Sequence, residues 1–259
     1  MATTQTETRP IQRMRDHRDR VLTHAATRLV RSRPLSEPFD ISGLFRTFIK
    51  LEDRRLKTSL HFGSGGCQVA QTRSFVLDLV VESAYCEAAR LGESVGLLSG
   101  VDKDCALVAI GGYGRSELAP HSDLDILFLH SNRQGAQVRQ LAEQVLRLLW
   151  DARLTVGHSF RTVSECLTAA RADAHFQTSL VNTRLLAGNV ALYDSLLTAL
   201  EKERVKRADS LLSAIRNERD ARYSKFSADI FLQEPNVKEG VGGLRDFHTA
   251  MWTAHARYG

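Results

Sequence analysis

No run of eighteen consecutive apolar residues occurs in the chain, and its opening stretch, MATTQTETRPIQRMRDHRDR, has no apolar segment of the kind a secretory signal uses. A helical membrane span is therefore excluded, and the expectation is a cytoplasmic protein with no membrane partner. Cysteine is scarce and scattered. Cys67, Cys86, Cys105 and Cys166 form neither a CxxC pair nor a Cys/His group at zinc-ligand spacing, so free thiols with a packing role are expected. There is no internal repeat and no low-complexity tract. What remains is ordinary for a globular protein: 43% hydrophobic and 25% charged residues over 259 positions, enough for one or two domains.

The formal charge of +5 is local. Residues 1–34 hold eight arginines against Glu7, Asp16 and Asp19, which accounts for the whole excess, and the other 225 residues carry 27 basic and 27 acidic side chains. A basic, mobile arm is the plain reading, with an RNA-binding arm as its alternative. Nucleic acid is not the expected partner.

Beyond the arm, 36–60 reads as short helical pieces, and HFGSGG (61–66) as a glycine-rich break. Residues 72–91 contain no Gly or Pro and space Phe75, Leu79 and Tyr85 as a helix does. CALVAI (105–110) is a short apolar run bounded by Asp104 and by GGYG, and reads as a buried strand. LDILFL (124–129) reads as a second strand and 155–161 as a third. Between them, 134–154 is an amphipathic helix with Val138, Leu141, Val145, Leu148, Leu149 and Ala152 on one stripe. From Val163 onward helical patterns dominate: VSECLTAARA, then HFQTSLVNTRLLAG ended by Gly188, then a long charged stretch over 190–228. A compact loop, QEPNVKEGVGG (233–243), precedes a last helix. The expected fold is α+β, a small mixed β-sheet with flanking helices followed by a helical subdomain. Its expected parts are a flexible arm at 1–34, a catalytic domain at 35–165 and the helical subdomain at 166–259.

Chemistry concentrates in GGYGRSELAPHSDLDILFL, residues 111–129. Alternation along a strand puts Asp123 and Asp125 on one face and sends Leu124, Ile126 and Phe128 to the other, into the core. Two carboxylates held together repel unless a cation lies between them. Hard oxygen ligands suit magnesium, which takes one or two carboxylates and completes its shell with water and substrate phosphates. Gly111 and Gly112 allow backbone N–H groups to approach an anionic phosphate, and Ser116 can add a hydroxyl donor. A glycine turn after one strand with DxD opening the next therefore points to nucleotidyl transfer: an acceptor hydroxyl attacks an α-phosphate and pyrophosphate leaves. The bland reading is a glycine-rich loop whose acidic residues only solubilise it.

The segment GGYGRSELAPHSDLDI resembles the signature of the bacterial PII-protein uridylyltransferase/uridylyl-removing family, close to GGYGRGELxPxSDxDL. QEPNVKEGVGGLRDFHTAMWTA (233–254) resembles that family's EPN, KEG and GGLRD segment, and weaker similarity covers HFGSGGCQVAQTRSFVLDLVV, LLWDARLTVGHSFRTVSECL and TSLVNTRLLAGN. The resemblance runs in the family's order from about residue 55 onward. It implies the nucleotidyltransferase fold, UTP as donor and a tyrosine hydroxyl on a PII-type signalling protein as acceptor. It also implies Gly111 and Gly112 on the triphosphate and Asp123 and Asp125 on Mg2+, with Arg115, Glu117 and Ser122 matching the motif. Lys238 is a candidate for reaching the triphosphate. Arg245 with Asp246 is a candidate bridge holding the last helix.

Three departures accompany the match. Ser116 stands where the pattern has glycine, a mild change provided its φ stays negative. Asn182 and Asn189 stand where acidic residues are more usual, and a third carboxylate has no clear position, Asp151 being a weak candidate. The HD phosphohydrolase and ACT domains implied by the resemblance have no counterpart in these residues, so a fragment or truncated relative is expected. Phe247 and Trp252 read as packing residues, and His121 and His158 as structural or solvent-facing. A nucleotide-binding module without turnover, and transfer to another acceptor, stay open beside the leading reading.

Overall fold

A computed structural model describes residues 8–29, 40–94, 100–131, 133, 135–225, 233–234 and 236–259, with the side chains of 8–17 and 102 outside that description. The fold is α+β. In chain order the described elements are α1 (Thr8–Arg28), α2 (Ile41–His61), α3 (Gly66–Ser94), β1 (Cys105–Ala109), α4 (Gly111–Gly114) and β2 (Leu124–His130), and then α5 (Gly135–Asp151), β3 (Val156–Arg161), α6 (Val163–Ala172), α7 (Ala174–Ser179), β4 (Arg184–Gly188), α8 (Val190–Lys225) and α9 (Leu244–Tyr258).

The sheet has the order β3-β2-β1-β4. β1 runs antiparallel to both β2 and β4, while β2 and β3 are parallel, the crossover between them being α5. Both central strands are covered on two faces, which is why β1 reads as an unbroken apolar run and β2 as one broken by Asp125 near its start. On one face Leu107, Ala109, Leu124, Ile126 and Phe128 meet the apolar sides of α2, α3 and α5. On the other, Ala106, Val108, Leu127 and Leu129 form a smaller cluster with Cys166, Ala170, Leu180 and Leu196 of the segment running from α6 to α8. Asp125 belongs to this second face. The predicted α5 stripe is the buried one, with Leu148 only partly covered.

Four expectations change. Residues expected as short helical pieces form one helix, α2, started by Asp40, whose carboxylate accepts from the Gly43 N–H. TRLLAG, expected to continue a helix, is β4, paired with β1 from Ala106 to Ala109, so the sheet draws a strand from beyond residue 165. Within the expected flexible arm, Thr8–Arg28 is helical and sets Val21 and Ala25 into the main core; residues 1–7 and 30–34 lie outside the described residues. Finally, Cys67 and Cys86 are exposed; only Cys105 and Cys166 are packed inside, and burial pushes both their thiols up to about 12.

α8 breaks at Arg207, where the backbone leaves helical angles (φ −127°, ψ 24°). Before the break Leu196 packs on the sheet; beyond it Leu211 and Ile215 pack with Trp252 and Ala256 of α9. Among the described residues no helix is long and apolar enough to cross a membrane.

Candidate active site

β1 delivers the chain into a tight turn. Gly111 takes φ +60°, a conformation that favours glycine, and a Cβ there would sit 3.2 Å from Asp125 Oδ2. The turn is tied to the strand that carries the carboxylates, since the Ile110 N–H donates to the Asp125 carbonyl at 3.0 Å. Asp123 is exposed just ahead of β2, while Asp125 is half-buried on it. Burial, and then the nearby Asp123 carboxylate, hold the Asp125 carboxyl above its usual range; His175 and Lys238 act in the opposite direction. Gly157 pairs with Asp125 across β2 and β3, and a Cβ on it would fall 2.6 Å from Asp125 Oδ1. The strand beside the carboxylate is bare where it has to be.

Gly111 lies against Asp125, and Asp123 and Lys238 are near enough to act on the Asp125 charge, with Gly112 the next residue in the turn. Arg115 is turned to Glu117, with Nε donating to Oε2 at 2.8 Å. Ser122 is exposed and its N–H closes a turn onto the Ala119 carbonyl at 3.1 Å. Ser116 has φ +60°, so the condition for a mild replacement of glycine is not met and the serine carries left-handed strain. His121 and His158 are exposed.

Asp151 ends α5 and is exposed, and among the described residues no three His, Cys, Asp or Glu side chains gather closely enough to hold a metal. Asn189 has a different task. It starts α8, its Oδ1 accepting from the Leu192 N–H at 3.1 Å. Asn182 lays its backbone carbonyl over Gly114, where a Cβ would come within 2.0 Å.

The loop that carries Lys238 is bonded to itself. Asn236 Oδ1 accepts from the N–H groups of Lys238 and Glu239 at 3.0 and 2.9 Å, and the Gly240 N–H donates to the Asn236 carbonyl at 2.8 Å. The expected bridge is partnered differently. Asp246 binds Arg222 of α8, accepts from the Tyr223 hydroxyl at 2.8 Å and from the Gly242 N–H at 2.6 Å, whereas Arg245 faces Glu239 at 3.6 Å. Against the opposing effect of burial, these hydrogen bonds hold the Asp246 carboxyl below its usual range. A second link is direct: His248 Nε2 lies 3.2 Å from Glu117 Oε2, joining α9 to the glycine-turn segment. Trp252 is buried as expected, but Phe247 is 58% exposed.

Sequence reasoning missed His175, Gly157, His248 and Arg184. The first two come from elements whose place beside β2 is set by pairing and packing, which no local pattern announces. A cavity of about 930 Å³ opens elsewhere, lined by Arg46, Lys50, Arg54 and Lys57 of α2, and it holds neither site carboxylate.

Residues 210–259 match the family model described as GlnD PII-uridylyltransferase. A bifunctional uridylyltransferase/uridylyl-removing enzyme of Nitrobacter hamburgensis is 40% identical over 194 residues, 74% of this chain and 21% of that protein. Proteins of the same name from Phenylobacterium zucineum and Pseudomonas putida are each 37% identical, over 90% and 83% of this chain and 24% and 23% of their own lengths. The chain belongs to the uridylyltransferase/uridylyl-removing enzyme family. It spans under a quarter of the length of these curated relatives.

Proposed function

We propose that this chain carries the nucleotidyl-transfer site of a uridylyltransferase, moving UMP from UTP to a tyrosine hydroxyl of a PII-type regulatory protein in the cytoplasm. The observation that carries the reading is the Asp123 and Asp125 pair set against the left-handed Gly111 turn. In the reaction the hydroxyl oxygen forms a new bond to the α-phosphorus, the bond from that phosphorus to the bridging oxygen breaks, and pyrophosphate departs.

The donor set fits magnesium. It consists of two carboxylates; burial and then their mutual repulsion lift the Asp125 carboxyl, and a divalent cation between them would offset the repulsion. Asp123 and Asp125 would hold the ion, which when bound neutralises phosphate charge and polarises the reacting oxygens. Gly111 and Gly112 present backbone N–H groups to the triphosphate, and Ser116 and Lys238 supply a hydroxyl and an ammonium beside it. Arg115, paired with Glu117, steadies the turn, and Ser122 shapes the approach to Asp123.

Pyrophosphate release from each of the four nucleoside triphosphates, with magnesium and a PII-type acceptor, tests the reading in this chain and in its Asp123→Ala/Asp125→Ala variant. The expected result is UTP-selective release that disappears in the variant. Release that persists in the variant would place the chemistry elsewhere. One observation favours a second reading: with no third acid gathered at the pair among the described residues, a site that binds nucleotide without turnover would show magnesium-dependent UTP binding and no pyrophosphate.

A further inference from the structure

Arg184 ties the glycine turn to the body of the protein. It begins β4 and pairs in register with Ala109, the last residue of β1 before the turn. Its guanidinium reaches in two directions. Towards α3, Nη1 donates to Asp78 Oδ2 at 2.7 Å and Nη2 to Oδ1 at 3.0 Å. Towards the turn, Nη2 donates to the Tyr113 carbonyl at 3.0 Å and Nε to the Gly114 carbonyl at 3.2 Å. The Tyr113 ring lies 5.5 Å from the guanidinium carbon. Asp78 is only 8% exposed while the Arg184 side chain is partly exposed, so this is a forked pair with a buried carboxylate. Glu82, one helical turn along α3, also feels it: burial and Asp78 push the Glu82 carboxyl up, and Arg184 opposes them.

These contacts leave the turn little slack. At one end the Ile110 N–H is bonded to the carbonyl of Asp125; at the other, two carbonyls are held by Arg184 while the Asn182 carbonyl presses over Gly114. Between the two ends lies Gly111, beside the Asp125 carboxylate.

We propose that Arg184 is a positioning residue for nucleotide binding: by clamping the Tyr113 and Gly114 carbonyls to Asp78, it fixes the Gly111 and Gly112 turn relative to Asp123 and Asp125. The inference rests on the reading of that turn as the triphosphate site. Lysine cannot take over the role, because a single ammonium lacks the planar fork that meets both carboxylate oxygens and both carbonyls at once.

Equilibrium binding of magnesium–UTP, with a melting temperature for every variant, tests it. Arg184→Lys is expected to stay folded and to lose affinity about tenfold or more, the scale of hydrogen bonds from a charged donor. Arg184→Leu leaves Asp78 buried and unpaired, whereas Asp78→Leu/Arg184→Leu removes both charges. The double variant is expected to regain melting temperature over Arg184→Leu without regaining affinity, a separation that a merely structural role would not give. Wild-type affinity in Arg184→Lys, or affinity that returns together with melting temperature in the double variant, would overturn the proposal. Absence of binding by the unaltered chain would instead sink the reading of the turn as a nucleotide site, and this inference with it.

Discussion

The two faces of the sheet are built to different purposes. One is closed by α2, α3 and α5 over Leu107, Leu124, Ile126 and Phe128, with side chains at 0–1% exposure, and the buried Asp78 of α3 is paired with Arg184. The other is covered by the shorter α6 and α7 and the first part of α8, and Asp125 stands on it at the end near α7, half-buried beside Asp123. The first face stabilises and the second holds unfavourable charge. The same strand, β2, serves both because its side chains alternate.

The largest expected effect falls on the thicker face. Phe128→Ala removes a fully buried ring and should cost about 3–5 kcal/mol of stability by chemical denaturation. If it costs no more than Leu129→Ala on the thinner face, the comparison fails. Asp125→Asn comes next. If the chain transfers UMP as proposed, that activity should fall about 100-fold or more, the scale of losing a few kcal/mol of charge stabilisation. Its melting temperature in magnesium-free buffer at neutral pH should rise. The sign follows from the raised pKa: a carboxyl that titrates higher in the folded state is progressively destabilised as pH climbs past its ordinary range, and a neutral amide is spared that cost. A fall in melting temperature would mean that the carboxylate has a structural partner.

A smaller gain is expected from Ser116→Gly. Relief of the left-handed backbone should add about 1 kcal/mol, measured by thermal melting. The smallest effect concerns His248. Burial, and then Arg115, hold its pKa below the usual value in spite of Glu117, so the folded state takes up a proton less readily than the unfolded chain. Its contribution is therefore present above about pH 6.5 and lost as pH falls through the lowered folded value. A melting curve series across this window should slope less in His248→Gln than in the unaltered chain.

How much of this was legible depends on whether the cue is local. β1 and β2 are apolar runs with polar or glycine ends, and the glycine turn with DxD lies between them, so strand, turn and carboxylate pair can be read off directly. β4 is five residues long and follows the short α7 with no Pro or Gly until Gly188, so TRLLAG satisfies a helical period as well as a strand's. With β4 hidden, Arg184 was hidden too, its partner Asp78 being 106 residues away. α1 was obscured by charge: its arginines drew attention to solvent, while Val21 and Ala25, one turn apart, carry the packing. The sign of φ at Ser116 depends on how the turn closes onto the elements around it, which the residue type does not reveal.

Gly157 has no side chain to contribute, yet it governs how the site can fail. Most losses of function come from taking atoms away; here, adding one carbon is enough. A methyl at this position would strike an oxygen of Asp125 from the neighbouring strand, at a distance no relaxed pair of atoms keeps. The carboxylate would have to swing aside, with the core beneath it intact and the protein folded. Silence at the proposed site can therefore arise at a residue that has no side chain of its own.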